Sequence, residues 1–318
     1  MIDQFGRTIN YLRISVTDRC NLRCQYCMPE EGVEKKKHRD ILSFEEIDAL
    51  VSKMAEMGVN KIRITGGEPL VRKNLTQLIS MINRHESIRE ITMTTNGIYL
   101  AEHADALKSA GLKRVNISLD SLKPDRYQAI TRGGDLSMVL KGIEAAKRVG
   151  LTPIKINVVL MKGINDDEID DFVTLTKDEP IEVRFIELMP VGEDGHGSTQ
   201  HYLSNTTVLD KYPNMKCLPK KDPSSPATYY QLPEYVGKVG LISPISGKFC
   251  EMCNRVRLSA DGFLKYCLHS NEEIALKPLL KDEALLEHTL RRTVFMKPEE
   301  HQIDEGQFLN KHMVQIGG

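Results

Sequence analysis

The chain has no tryptophan, only 6 % aromatic residues and a formal net charge of −1. Near-neutrality means that no whole-molecule field draws it to nucleic acid or an anionic membrane, so any anion site must be a local cluster of Arg and Lys. No run approaches the ~20 apolar residues of a membrane helix. The first residues, MIDQFGRTIN, have neither the basic nor the apolar region of a secretion signal. A cytosolic location is therefore expected, where clustered cysteines bind metal more readily than they form disulfides. The pattern G-x-x-x-x-G-K-[ST] is absent, so nucleotide binding does not follow from a phosphate loop. Internal sequence repeats and low-complexity tracts are also lacking.

What is present is a rhythm. Short β-branched runs at Tyr11–Val16, Lys61–Thr65, Glu90–Thr94, Arg114–Leu119, Ile154–Leu160 and Glu182–Leu188 alternate with helix-period segments. Between the first two, Phe44, Ile47, Leu50, Val51, Met54 and Met57 fall on one helical face. Ser43 and Glu46 have the spacing of a capping box, and Gly58 is placed to end that helix. Further helices are expected over Leu75–Arg84, Leu100–Ala110, Leu136–Val149 and Glu168–Thr176. Such alternation predicts a parallel α/β sheet. Six units point to an incomplete (β/α)6 TIM-type barrel, with a doubly wound open sheet as the competitor. The Cys loop, Gly66-Gly67-Glu68-Pro69, Thr95-Asn96-Gly97, and Ser118 with Asp120 all sit at strand carboxyl ends, where barrels build sites. After Leu218 the Pro-, Gly- and Ser-rich stretch PKKDPSSPATYYQLPEYVGKVG replaces the alternation. The expected division is 1–218 and 219–318, with the C-terminal part closing the open side of the barrel.

The seven cysteines include two sets of three. Cys20, Cys24 and Cys27 are spaced x3 then x2; Cys250, Cys253 and Cys267 are spaced x2 then x13. Cys217 is left over and is expected to be a buried, unligated thiol. Thiolates suit both zinc and iron–sulfur clusters. A four-iron cluster normally takes four thiolates, so three leave one iron open to another ligand. A zinc loop completed by a distant residue remains the alternative, for the second set with Cys217 or His269 as fourth ligand.

C-x3-C-x2-C with Tyr26 before its last cysteine, followed by GGEP, resembles the signature of radical S-adenosylmethionine enzymes. The segments YLRISVTDRCNLRCQYCMP, KIRITGGEPL, TTNG, NISLDS, KINVV, RFIELMP and CNRVRLSADGFLKYCL, with a terminal GG, resemble the GTP 3′,8-cyclase family of molybdenum cofactor biosynthesis. The likeness runs from about Phe5 to Gly318. It implies two [4Fe–4S] clusters, one on Cys20, Cys24 and Cys27 and one on Cys250, Cys253 and Cys267. It implies S-adenosylmethionine at Tyr26, Gly67, Ser118 and Met189, and GTP at Arg13, Arg63, Thr94, Lys155, Arg255, Val256 and Arg257. In that family a 5′-deoxyadenosyl radical abstracts the ribose 3′-hydrogen, C3′ attacks guanine C8, and one-electron reduction completes (8S)-3′,8-cyclo-7,8-dihydroguanosine 5′-triphosphate. Gly317 and Gly318 then form a flexible tail that enters the cavity and positions Arg13. The resemblance also implies a homodimer, an external electron donor, and passage of the product to cyclic pyranopterin monophosphate synthase; no nucleic acid or membrane partner is expected. The rival readings are a radical S-adenosylmethionine enzyme acting on a peptide, and a zinc or electron-transfer protein.

The residues themselves support part of this. Arg13, Arg63 and Lys155 lie in apolar strand runs, where a cation needs a partner. Cys253, Arg255 and Arg257 are spaced by two and share one strand face. A two-residue turn at Asp261-Gly262 would place Cys267 on the wrong face. A three-residue loop, Ala260-Asp261-Gly262 with a left-handed Gly262, pairs Arg255 with Cys267 and is the expected turn. Lys35–Lys37 with Arg39 are expected to form a solvated face, and His196 and His201 to lie on the surface.

Overall fold

A computed structural model describes residues 1–190, 199–303, 309 and 311–317. Six strands, β1 (Tyr11–Ser15), β2 (Lys61–Thr65), β3 (Glu90–Thr95), β4 (Arg114–Ser118), β5 (Lys155–Leu160) and β6 (Glu182–Glu187), lie side by side in chain order. All pair in parallel. Alternation along them decides the two faces: Leu12, Ile14, Ile62, Ile64, Val115 and Ile117 are buried beneath the helices, whereas Arg13, Arg63, Thr94, Ser118 and Asn157 line a cavity on the other face.

The helices form where expected. The first spans Phe44–Glu56, opens on the Ser43/Glu46 capping box and is followed by Gly58 at φ +102°. The segment expected as one helix over Glu168–Thr176 is a 3-10 turn, Asp166–Glu168, leading into Ile169–Thr174. Four α-helices among the described residues lie outside that expectation, the short Thr206–Lys211 and Met313–Ile316 and two longer ones. Pro124–Thr131 is polar and short, and starts on a proline suited to the first helical position. Glu283–Phe295 lies in the region whose texture hid it; Asp282 caps it by accepting from the Leu285 N–H, and Leu286, Leu290 and Val294 are its buried face.

The strands that follow β6 extend this sheet at both edges. β9 (Lys238–Ile242) pairs in parallel with β6, and β10 (Arg255–Leu258) pairs in parallel with β1. Antiparallel strands β8 (Ala227–Gln231) and β7 (Lys216–Cys217) continue one edge, and β11 (Phe263–Lys265) and β12 (Ile274–Ala275) the other. The sheet is an open, incomplete barrel of the TIM type, and Pro226, Pro244, Phe249 and Cys250, from segments flanking the added strands, line its cavity. Cys217 is exposed on the edge strand β7, against the expectation of a buried thiol.

The hairpin follows the expected register. Arg257 faces Lys265 and Leu258 faces Leu264, which extended by two residues puts Arg255 opposite Cys267. Gly262 has φ +86°, and its N–H donates to Ser259 O at 3.1 Å. Lys36 departs from the solvated-face reading: its Nζ lies 2.5 Å from Asp261 Oδ2 on this turn.

Candidate functional site

One cavity of about 350 Å³ is lined by all six motif cysteines. Both triads therefore face a common space, although more than two hundred residues separate them in the chain.

The first triad occupies the loop after β1. Cys20 Sγ accepts from Leu22 N–H at 3.4 Å, and Cys27 N–H donates to Cys24 O at 2.9 Å. The GGEP segment lies against this loop. Gly67 N–H donates to Thr17 O at 2.7 Å and Glu68 N–H to Arg19 O at 2.8 Å. A Cβ on Gly67 would come within 2.3 Å of Arg19 O, so the glycine is required by backbone-to-backbone approach as well as by any ligand. Glu68 is buried and accepts from Leu70 N–H, Asn96 N–H and Thr95 Oγ1, fastening the end of β2 to the TTNG loop; burial lifts its carboxyl to about 7. Tyr26 donates to Asp120 Oδ2 at 2.7 Å, while Asp120 Oδ1 accepts from Val159 N–H at 2.8 Å. Burial lifts Asp120 to about 6. Burial also pushes Cys20 up to about 11 and Cys27 up to about 12.

The second triad spans a 3-10 turn, Cys250–Met252, and the hairpin. Its surroundings are cationic. Arg255 Nη1 lies 3.8 Å from Cys253 Sγ, and Arg257 and Lys297 line the same wall. Burial pushes the Cys253 thiol up, but the charges of Lys297 and Arg255 outweigh it and bring the thiol down to about 7.

Between the triads lie polar atoms buried without hydrogen-bond partners: Arg13 Nε, Arg63 Nε, Arg184 Nε, Arg257 Nη1, Thr94 Oγ1 and Asn157 Oδ1. Buried polar atoms left unmatched mark a ligand surface rather than a finished core. Arg184 and Asn157 were not singled out in the sequence; their signal was their place on inward strand positions beside Ser118, in the register Ser118–Asn157–Arg184. Ser118, Gly67, Tyr26 and Met189 all line the cavity. Lys155 does not: it is ion-paired with Glu182 and donates to Tyr229 OH. The Val256 side chain is fully buried on the opposite face of β10, so only its backbone is placed toward the cavity face. Gly317 O lies 3.5 Å from Arg13 Nη2, and Gly318 lies outside the described residues, as does His196. His201 binds the Lys162 carbonyl through Nδ1.

The donor set fits iron–sulfur clusters. The six thiols are free of disulfides and face one cavity, three from each triad. A cluster distributes its thiolates over several irons.

Residues 14–176 match the Radical SAM superfamily, and residues 181–303 match the family described as Molybdenum Cofactor Synthesis C. The chain is 52 % identical to a GTP 3′,8-cyclase of Peptoclostridium acidaminophilum, over 100 % of this chain and 98 % of that protein. It is 52 % identical to one of Alkaliphilus oremlandii over the full length of both, and 47 % identical to one of Petrotoga mobilis, again over both full lengths. Among solved structures it is similar to Streptococcus suis SuiB bound to S-adenosylmethionine. The TM-score is 0.55 at 14 % identity, covering 92 % of this chain and 64 % of that one, a likeness of fold. Among the described residues no helix is long and apolar enough to cross a membrane. With relatives half-identical along its whole length, the chain belongs to the GTP 3′,8-cyclase family of radical S-adenosylmethionine enzymes.

Proposed function

We propose that this enzyme converts GTP to (8S)-3′,8-cyclo-7,8-dihydroguanosine 5′-triphosphate, the first step of molybdenum cofactor biosynthesis, using S-adenosylmethionine and two [4Fe–4S] clusters. The observation that carries the reading is the single cavity in which two cysteine triads flank a wall of unpartnered arginine N–H groups. When bound, the first cluster with S-adenosylmethionine supplies a 5′-deoxyadenosyl radical.

The chain supplies everything that aims this chemistry. Cys20, Cys24 and Cys27 hold the first cluster, and Cys250, Cys253 and Cys267 the second. Tyr26, fixed by Asp120, forms one wall for S-adenosylmethionine with Gly67, Ser118 and Met189. Arg13, Arg63, Arg184 and Arg257 present planar N–H groups suited to phosphate oxygens. Thr94 and Arg255 complete the GTP side, with the backbone at Val256. Lys155 reaches substrate by releasing Glu182, which makes it a conditional member of the set. Gly317 O stands against Arg13, and on this reading the tail Gly317-Gly318 positions that arginine. Residues 1–218 on this reading generate the radical and 219–318 bind the base of the substrate. An external electron donor, a homodimer and transfer of product to cyclic pyranopterin monophosphate synthase belong to the same proposal.

The test is anaerobic reconstitution followed by iron analysis and turnover with S-adenosylmethionine and dithionite, with and without GTP. About eight irons per chain and GTP-stimulated 5′-deoxyadenosine are expected, together with the cyclised nucleotide. Zinc without iron, or cleavage indifferent to GTP, overturns the reading. Arg184→Ala should raise the Kd for GTP about tenfold to a hundredfold, the worth of charge-assisted hydrogen bonds, and leave S-adenosylmethionine binding unchanged.

A further inference from the structure

Lys297 follows the helix Glu283–Phe295 and is only 2 % exposed. Its ammonium donates to the Tyr266 carbonyl and lines the cavity beside Cys250, Cys253 and Cys267. Among the described residues no carboxylate lies within ion-pairing distance of it. The cavity wall around it carries the bases Arg255, Arg257, His269 and His301 and the acids Cys250, Cys253, Cys267 and Tyr266; none of the carboxylates in the same lining, Glu68, Asp120 and Glu187, is ion-paired with it. An ammonium has three donors, and burying one without a counter-charge is strongly unfavourable.

Its placement is enforced by the chain. Arg7, ion-paired with Asp3 at 2.6 Å, donates from Nη1 to Cys250 O at 2.8 Å and Glu299 O at 2.7 Å, and from Nη2 to Pro298 O at 2.6 Å. One guanidinium thus clamps the segment just after Lys297 to the turn that carries the second triad. Ammonium and thiols are held as one unit, so among the described residues the thiols are the groups placed to bring negative charge to it.

A four-iron cluster on three thiolates is anionic, and more so after one-electron reduction. We propose that Lys297 is the buried counter-charge of the second cluster and raises its reduction potential. The inference rests on the two-cluster reading above. It makes Lys297 a positioning residue for charge, which no motif in the sequence announces.

The experiment is an EPR-monitored redox titration of the reconstituted wild type, Lys297→Met and Lys297→Arg, with dithionite as reductant. Addition of S-adenosylmethionine separates the two signals, because it perturbs the first cluster. The Met variant should show a tenfold lower equilibrium constant for reducing the second cluster, a shift of about 59 mV to more negative potential for one electron. The first cluster should not move, and the Arg variant should stay within about twofold of wild type. If Lys297→Met fails to retain the second cluster while Lys297→Arg retains it, the charge requirement is supported through assembly. Loss of the cluster in both variants overturns the proposal. So does an unchanged potential in Lys297→Met, with GTP affinity falling tenfold, which would make Lys297 a substrate ligand. A wild-type content of about four irons would defeat the two-cluster reading itself, before any variant is measured.

Discussion

The two cysteine triads use the same ligands in opposite surroundings. Cys20, Cys24 and Cys27 sit in a compact loop next to Glu68 and Asp120, where burial holds the thiols protonated at neutral pH. Cys250, Cys253 and Cys267 are spread over a turn and a hairpin among Arg255, Arg257 and Lys297, which bring Cys253 down to about 7 despite burial. At the first site, the positive charge that offsets thiolates must arrive with the iron and the sulfonium of S-adenosylmethionine. At the second, the protein provides cations in advance. A cavity with an acidic end and a basic end orients a cationic cofactor and an anionic substrate before either makes a specific contact.

Removing one ligand from each end breaks the comparison most directly. Cys24→Ser should cost about four irons and abolish formation of 5′-deoxyadenosine. Cys253→Ser should cost the same iron, yet keep slow cleavage of S-adenosylmethionine that GTP no longer stimulates. Iron analysis and nucleoside chromatography read both. Equal loss of cleavage in the two variants would mean that the triads act as one unit.

The acidic end makes a separate prediction about pH. The folded-state value of Asp120, about 6, stands above its ordinary 3.8, because burial disfavours the carboxylate. Its contribution to stability is therefore complete below about 3.8 and is lost as pH rises through about 6. Against Asp120→Asn, which does not titrate, the wild-type apoprotein should lose on the order of 3 kcal/mol across that window. Urea unfolding at several pH values measures the difference. A difference that stays flat would mean that folding leaves the Asp120 carboxyl at its ordinary value, and would refute the effect of burial on it.

Much of this was legible in the sequence because strands and helices are local. The period-two runs located all six barrel strands to within a residue at either end, and Ser43 and Glu46 announced the first helix. The lining of the cavity was legible where its residues share a motif, as with the cysteines, Tyr26 and Gly67. It was not where chemistry depends on distant partners. Lys155 looks like Arg63 in the sequence, but Glu182 and Tyr229 take it up across strands. Asp120, Glu68, Arg184 and Lys297 acquire their roles only when other elements bury them. The helix Glu283–Phe295 is obscured in the sequence by the Pro, Gly and Ser that precede it in the same region.

The hairpin offers the smallest and most selective test of the difference between the triads. Gly262 adopts φ +86°, and a Cβ there would sit 3.1 Å from both Leu42 Cδ2 and Lys277 Cβ. Gly262→Ala combines left-handed strain of about 1–2 kcal/mol with this crowding. The turn sets the register that puts Cys267 on the face of Arg255, so relief by a two-residue turn would swing Cys267 away from the cavity. The first triad shares no strand with this turn. The expected result is a modest fall in Tm with selective weakening of the second cluster, and a first cluster whose spectrum still responds to S-adenosylmethionine. Equal damage to both clusters would show that the triads are coupled through the fold, and that their separate environments are not independently built.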